Sequence, residues 1–117
     1  MGHNIDKLEV YNEALNLASE CIATFEGKRP YELSNHIIKT SISMPSNIAE
    51  GAQRRSNEDF CRFLSYSVGS CAELICQITL AIRRKCGDHT KSLELKKRLK
   101  SLLKSIWALI HSLSKET

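Results

Sequence analysis

The sequence has little of what several large protein classes require. Glycine and proline are scarce, with 5 and 2 residues among 117, which leaves too few turn signals for an all-β sandwich or barrel. No apolar run approaches the roughly 18 residues that a membrane-spanning helix needs. The five cysteines form no CxxC pair, and no apolar signal segment precedes them. We therefore expect a cytoplasmic protein with reduced thiols and no membrane partner.

Motifs for catalysis and metal binding are missing as well. The sequence contains no GxSxG elbow, Walker A loop, HExxH motif or glycine-rich dinucleotide fingerprint. It also contains no Glu-x-x-His pair, the signature of di-metal sites in helical bundles. Cys71 falls on an apolar helix stripe with nothing basic placed to lower its pKa, so we interpret it as a packing thiol. These observations predict a protein that is not an enzyme and that needs no metal or cofactor.

The composition fits one compact domain over residues 1–117. Hydrophobic residues make up 42% and charged residues 26%, so disorder is not indicated. Seventeen lysines and arginines against 13 acidic residues give a net charge of +4. This excess favours anionic partners without identifying one.

The first half of the chain shows two segments with helical periodicity. The first ends before Gly27, with a turn at Lys28, Arg29 and Pro30, and its apolar stripe is Leu8, Tyr11, Leu15, Ala18, Ile22 and Phe25. The second runs from Tyr31 to about Glu50 and carries two apolar rows, namely Ile37, Met44 and Ile48, and Ile38, Ile42 and Ala49. Pro45 lies inside it and predicts either a kink or a new helical start.

The second half predicts two longer helices. Ser56 to Asp59 has the form of a capping box, with Ser56 as the N-cap and Asp59 reaching back to it. The helix that follows has one apolar stripe, namely Phe60, Leu64, Val68, Cys71, Leu74, Ile75, Ile78 and Ile82. After a break at Gly87–Thr90, a helix from about Lys91 aligns Leu95, Leu99, Leu102, Ile106, Leu109, Ile110 and Leu113. Short links force neighbours to run antiparallel, so we predict an all-α, up-down-up-down four-helix bundle.

The last helix carries a candidate nucleic-acid-binding site. Its residues fall in one quadrant beside the leucine stripe, with an indole at the border: Lys96, Lys97, Lys100, Lys104 and Trp107. Four ammonium groups along a helix can follow a run of phosphates, and an indole can stack on a base. The alternative is that the lysines solvate an outer face and Trp107 packs at its edge.

Arg54 and Arg55 form a second basic candidate. They precede the Ser56 cap, and two guanidinium groups beside a helix N-terminus make a phosphate site. The alternative is that they pair with Glu50, Glu58 or Asp59 and fix the turn.

The third helix has small residues opposite its apolar stripe, at Ser65, Gly69, Ala72 and Cys76. Such a face lets another helix approach closely, so we interpret it as a candidate subunit interface. A glycine inside a helix costs about 1 kcal/mol relative to alanine, which favours a use for the free space. The alternative is a bare outer face exposed to water.

One long motif is familiar. Residues 43–51 read Ser-Met-Pro-Ser-Asn-Ile-Ala-Glu-Gly, and the signature continues through Arg54, Ser56, Asp59-Phe60, Arg62-Phe63-Leu64, Gly69-Ser70, Glu73-Leu74 and Gln77. This segment resembles the bacterial four-helix bundle proteins encoded in intervening sequences of large-subunit ribosomal RNA genes. The accessory protein of diversity-generating retroelements is a more distant relative of the same fold.

The resemblance implies an antiparallel bundle that assembles into a ring, a homopentamer, with no known enzymatic activity. For the retroelement branch it implies binding of RNA and of a reverse transcriptase. The motif at 43–64 is closer to the intervening-sequence group. We therefore expect a ring-forming accessory protein that binds nucleic acid through basic surfaces, with RNA favoured and DNA as the open alternative. The alternatives are a protein–protein adaptor or scaffold and an accessory subunit of a reverse transcriptase.

Overall fold

The computed structural model describes residues 3–4 and 8–116 and contains four α-helices. They are α1 (Glu9–Phe25), α2 (Tyr31–Ala52), α3 (Asn57–Arg83) and α4 (His89–Lys115). Each helix packs against its neighbours in the chain, and α1 also packs against α4, which closes the bundle. The result is a rod of 45 × 20 × 20 Å. This confirms the predicted all-α four-helix bundle.

The core runs along the whole length of the rod. Every helix contributes one row of buried side chains, because a row at helical spacing must face the other three helices. The predicted stripes of α3 and α4 lie buried or half-buried as expected. The largest fully buried side chains are Phe25, Phe60, Leu17, Ile37, Met44, Ile48, Leu64, Leu74, Ile78, Leu95, Leu99 and Ile106.

The stripe predicted for α1 is shifted from the true core row. Ala14, Leu17 and Cys21 face the core, whereas Leu15 is 41% exposed. Apolar residues of α1 form two neighbouring rows at helical spacing, and the sequence-based prediction selected the row with the larger side chains. The core takes the row with small residues, since small side chains let packed helices come closer together.

The two apolar rows of α2 differ in how deeply they are buried. Ile37, Met44 and Ile48 are fully buried, whereas Ile42 in the other row is 45% exposed. α2 is one helix across Pro45, so no new helix starts there. Pro45 lacks an N–H group, and the carbonyl four residues before it is left without its usual helical partner.

The helix ends differ from the predicted ones in two details. The backbone N–H of Asp59 donates to Ser56 Oγ at 3.1 Å, so Ser56 is the N-cap of α3. The Asp59 carboxylate does not complete the capping box, because it accepts from Arg62 at 2.8 Å. α4 begins two residues earlier than expected, since Asp88 Oδ1 accepts from the N–H of Lys91 at 2.7 Å and caps it.

By length and composition alone, α3 is apolar enough to cross a membrane. Phe60, Leu64, Leu74 and Ile78 nevertheless lie in one stripe that is buried against the other helices, whereas Leu80 is 48% exposed. A core helix of a bundle passes the same test of composition.

Candidate nucleic-acid interface

The basic residues predicted on α4 lie on its surface. Lys97, Lys100 and Lys104 are exposed, Lys96 is half-buried, and Trp107 is 49% exposed. None of the four lysines forms an ion pair with another residue in the described part of the chain. Their ammonium groups are therefore available to an external anion.

Contacts between α3 and α4 fix where this basic stripe lies. The Cys71 thiol donates to the carbonyl of Leu99 at 3.2 Å, and the Cys61 thiol donates to the carbonyl of Ile110 at 3.7 Å. This antiparallel register sets residues 65–76 of α3 beside residues 94–106 of α4. Trp107 is seven residues before Ser114, whose Oγ lies 3.9 Å from Cys61 Sγ, so the indole is on the flank of α4 nearest α3.

The small-residue face of α3 lies on the same side of the bundle. Ser65, Gly69, Ala72 and Cys76 are all exposed, and Ser65 follows Cys61 by one helical turn. The structure thus brings together two candidate sites that the sequence presented separately. A strip of small side chains on α3 runs alongside the lysines of α4.

Two glycines show how differently the faces of the bundle are used. A Cβ atom added at Gly51 would lie 2.7 Å from Phe63 Cβ, so the absence of a side chain lets α2 and α3 pack closely there. A Cβ atom added at Gly69 would meet nothing within 4 Å. Packing within the bundle therefore explains Gly51 and does not explain Gly69.

The predicted arginine pair divides between two roles. Arg54 lies 3.6 Å from a Glu50 oxygen and 4.0 Å from an Asp59 oxygen, with its guanidinium 4.4 Å from the centre of the Phe63 ring. These contacts connect the end of α2 to the start of α3. Arg55 is exposed and has no ion pair among residues 8–116.

Arg62 is a member of this cluster that the sequence analysis did not select. Its guanidinium donates to Asp59 at 2.8 Å and to Tyr66 Oη at 3.1 Å, and it lies 4.9 Å from the Phe63 ring centre. The hydrogen bond to Asp59 raises the pKa of Arg62. The spacing of Asp59 and Arg62, three residues apart in a helix, was the available signal.

The opposite flank of α4 carries cations that are already neutralised. Arg98 contacts Glu20 at 2.6 Å and Glu13 at 3.2 Å, and Lys91 Nζ contacts Glu20 at 2.6 Å. The hydrogen bond from Lys91 lowers the pKa of Glu20, with a further contribution from Arg98. The hydrogen bond to Glu13 raises the pKa of Arg98. This network connects α4 to α1.

An apolar groove runs between α1 and α2. It has a volume of about 400 Å³ and is lined by Tyr11, Leu15, Ala18, Ile22, Ile42 and Pro45, among others. Leu15 and Ile42 are the side chains shifted out of the core, at 41% and 45% exposure. The groove is therefore lined by the apolar rows of α1 and α2 that do not face the core.

Two of the buried thiols, Cys21 and Cys71, have raised pKa values. Burial raises the pKa of Cys71 to about 11 and is the main cause that raises the pKa of Cys21 to about 12. A thiol with such a pKa holds almost no nucleophilic thiolate at neutral pH. Within the described residues, no group of three histidine, cysteine or acidic side chains is placed to hold a metal ion.

Comparisons with known proteins agree with this architecture. Residues 6–108 match the family model described as 23S rRNA-intervening sequence protein. A crystal structure of a protein of unknown function from the S23 ribosomal protein family of Bacteroides thetaiotaomicron has the same fold, with a TM-score of 0.79 and 20% sequence identity. The similarity covers 86% of this chain and 97% of that one. No curated protein matches. With the family model matching most of its length, the chain belongs to the family of 23S rRNA-intervening sequence proteins.

Proposed function

We propose that this protein is a non-enzymatic, ring-forming accessory protein that binds RNA through the basic stripe of α4. The observation that carries the proposal is that Lys96, Lys97, Lys100 and Lys104 lack partners within the described chain, whereas Arg98 and Lys91 on the same helix are paired. Unpaired surface cations are the groups that exchange counterions for phosphates. The family name associates its members with 23S rRNA intervening sequences.

Trp107 favours RNA over duplex DNA as the partner. Half of its surface is exposed beside the lysines, and an indole stacks on a base only where that base is unstacked from its neighbours. RNA presents such bases in loops and bulges, whereas duplex DNA keeps them inside the helix. The lysines then supply attachment without sequence preference, and the indole supplies a preference for unpaired segments.

The test is a titration of nucleic-acid-free protein into labelled structured RNA and matching duplex DNA, followed by anisotropy at several salt concentrations. Reversing Lys96, Lys97, Lys100 and Lys104 to glutamate is expected to weaken RNA binding by about 100-fold or more. The plot of log affinity against log salt should also lose about 3 units of slope, since each phosphate contact contributes about 0.7 for single strands.

A matched control distinguishes the effect of the α4 site from the effect of total charge. Reversing Lys28, Lys39, Arg84 and Lys115, which are also exposed, changes the net charge equally but leaves the stripe intact. This variant should keep most of the salt slope. Equal losses in the two variants, or unchanged binding in the first, would refute a site on α4.

Assembly into a ring, with five copies as the family resemblance implies, rests on two unlike faces. The exposed small-residue face of α3 and the apolar groove between α1 and α2 lie on opposite sides of the bundle. Contact between unlike faces is heterologous, and such contacts build rings when the rotation closes.

Gly69→Leu tests this assembly. A Cβ atom added at Gly69 meets nothing within 4 Å and the position is exposed, so the fold should persist, while close approach of a second helix would be blocked. We expect light scattering to report a lower oligomeric mass for the variant than for the wild type. Gly69→Ala is the mild control. A monomeric wild type would contradict the proposal at once.

A protein–protein adaptor is the second candidate function, and the apolar groove between α1 and α2 favours it. Leu15 and Ile42 are large side chains exposed to solvent at neighbouring positions of that groove, and an amphipathic helix of a partner can bind such a groove. The anisotropy titration distinguishes the two functions. Absence of RNA binding at low salt would leave the adaptor as the better account.

A further inference from the structure

The line of lysines on α4 leads to two exposed rings. Its members follow one another at steps of three and four residues, namely Lys97, Lys100, Lys104, Trp107 and His111. Residues at this spacing lie along one face of a helix, and all five are exposed. Three ammonium groups and two aromatic rings therefore form one continuous row on the outer surface of the bundle.

Trp107 and His111 lie one helical turn apart on this row. Four residues of an α-helix rise about 6 Å along its axis. A base that stacks on two rings at once needs about 7 Å between them, which is twice the spacing of about 3.4 Å between stacked bases. Both side chains lean toward the start of the helix, so modest rotations at Cα–Cβ bonds are enough to give the two rings this separation.

Both rings are free to receive a base. Within the part of the chain that the structure describes, neither ring stacks on another aromatic ring or receives a cation. Trp107 is 49% exposed, and covering its apolar surface with a flat partner removes that surface from water. Histidine, like tryptophan, is among the side chains on which unstacked RNA bases lie.

We propose that Trp107 and His111 clamp one unpaired base of the bound RNA between their rings. This inference rests on the proposed RNA binding by the α4 lysines and adds His111 to that site. The phosphates next to the clamped base would lie along Lys104 and Lys100, which precede Trp107 by one and two turns. The clamp admits bases from loops, bulges and ends, because the bases of a continuous duplex are stacked on one another.

The fluorescence of Trp107 tests the clamp directly, since this residue is the only tryptophan of the chain. Two short single-stranded RNAs of equal length are the probes, one with all its bases and one with abasic sites in their place. We expect the RNA with bases to quench the indole fluorescence and to bind more tightly than the abasic RNA. The abasic RNA should still bind through its phosphates, in a salt-dependent manner.

His111→Ala removes the second ring of the clamp. Its affinity for the RNA with bases should fall about fivefold or more, the lower end of the effect of losing one stacked base. Its affinity for the abasic RNA and its salt slope should stay unchanged, because no phosphate contact is lost. His111→Phe restores a ring and should recover most of the affinity. His89→Ala is the matched control, since His89 is an exposed histidine at the other end of the same helix.

A double-mutant cycle tests whether the two rings hold the same base. Combining Trp107→Ala with His111→Ala should weaken RNA binding by less than the product of the two single effects, because either substitution alone already opens the clamp. Anisotropy of labelled RNA measures all four affinities. Effects that simply multiply would indicate two independent stacking sites and would overturn the clamp.

The probes distinguish failure of the clamp from failure of the proposed function. Equal affinities for the two RNAs, or an unchanged affinity of His111→Ala, would overturn the clamp and leave phosphate binding by the lysines in place. If neither RNA bound at low salt, the proposed RNA binding itself would be refuted, and the clamp with it.

Discussion

Both flanks of α4 carry positive charges, but the charges on the two flanks have different partners. On the flank toward α1, Arg98 and Lys91 are held by Glu13 and Glu20 at distances down to 2.6 Å. On the flank toward α3 and the outer surface, four lysines and Trp107 have no charged partner within the described chain. The difference arises on the neighbouring helices. α1 offers glutamates to the first flank, whereas α3 offers small uncharged side chains to the second.

This contrast separates cations that belong to the fold from cations that are free for a partner. A paired, partly buried guanidinium helps to fix α4 against α1, and its loss leaves two carboxylates without counter-charges. An exposed lysine contributes little to stability by itself. The helix therefore has a structural side and a candidate binding side, which mutations should affect independently.

Among single substitutions, Trp107→Ala should have the largest effect on RNA binding. Stacking of one base on an aromatic ring contributes about 1–3 kcal/mol, so RNA affinity should fall by roughly 5- to 150-fold. The salt slope should stay unchanged, because no phosphate contact is lost. Leu93→Ala is the control, since Leu93 is another exposed apolar residue of α4 at 49%. Equal effects of both variants in anisotropy titrations would mean that stacking is not involved.

Arg98→Gln should act on the structural side. It breaks the contacts with Glu13 and Glu20, and we expect the free energy of unfolding in urea to fall by about 1–2 kcal/mol. RNA affinity should change little. Lys100→Gln, two residues away and exposed, should reverse the pattern, with a stability change within about 0.5 kcal/mol and weaker RNA binding. If Arg98→Gln abolished RNA binding without loss of stability, the assignment of the two flanks would be wrong.

Glu20→Gln should have the smallest effect, one that depends on pH. The pKa of Glu20 is lowered from its ordinary value of 4.5 in the folded protein. The unfolded state therefore binds the proton more readily, and Glu20 stabilises the fold above pH 4.5 but loses this contribution as pH falls through the folded pKa. The variant should be less stable than the wild type by up to about 1 kcal/mol at pH 7, with the difference shrinking toward pH 3. Urea unfolding at both pH values measures it.

Glu26→Gln is the control for this prediction, since Glu26 is exposed and has no ion pair in the described residues. Its stability difference from the wild type should stay small at both pH values. A Glu20→Gln variant whose deficit is the same at pH 3 and pH 7 would show that the network does not depend on the Glu20 charge.

Individual helices show which features of the fold could be predicted from the sequence and which could not. The long stripe of α3 and the leucine stripe of α4 were predicted because only one face of each helix is strongly apolar. The stripe predicted for α1 differs from the buried row because two adjacent rows, one with Leu15 and one with Leu17, have the same helical spacing. The prediction that the Asp59 carboxylate completes the capping box was wrong. That carboxylate instead accepts from Arg62, one turn further along the helix, at 2.8 Å.

Local periodicity, short links and charge were enough to predict the four helices, their antiparallel order and the surface position of the α4 lysines. Which cations are neutralised could not be predicted in this way, because Arg98 and Glu13 are 85 residues apart in the chain and 3.2 Å apart in space. The packing of α2 against α3 likewise requires Gly51, whereas nothing in the bundle requires Gly69. Contacts between distant parts of the chain depend on how packed helices align, and helical periodicity alone does not contain that alignment.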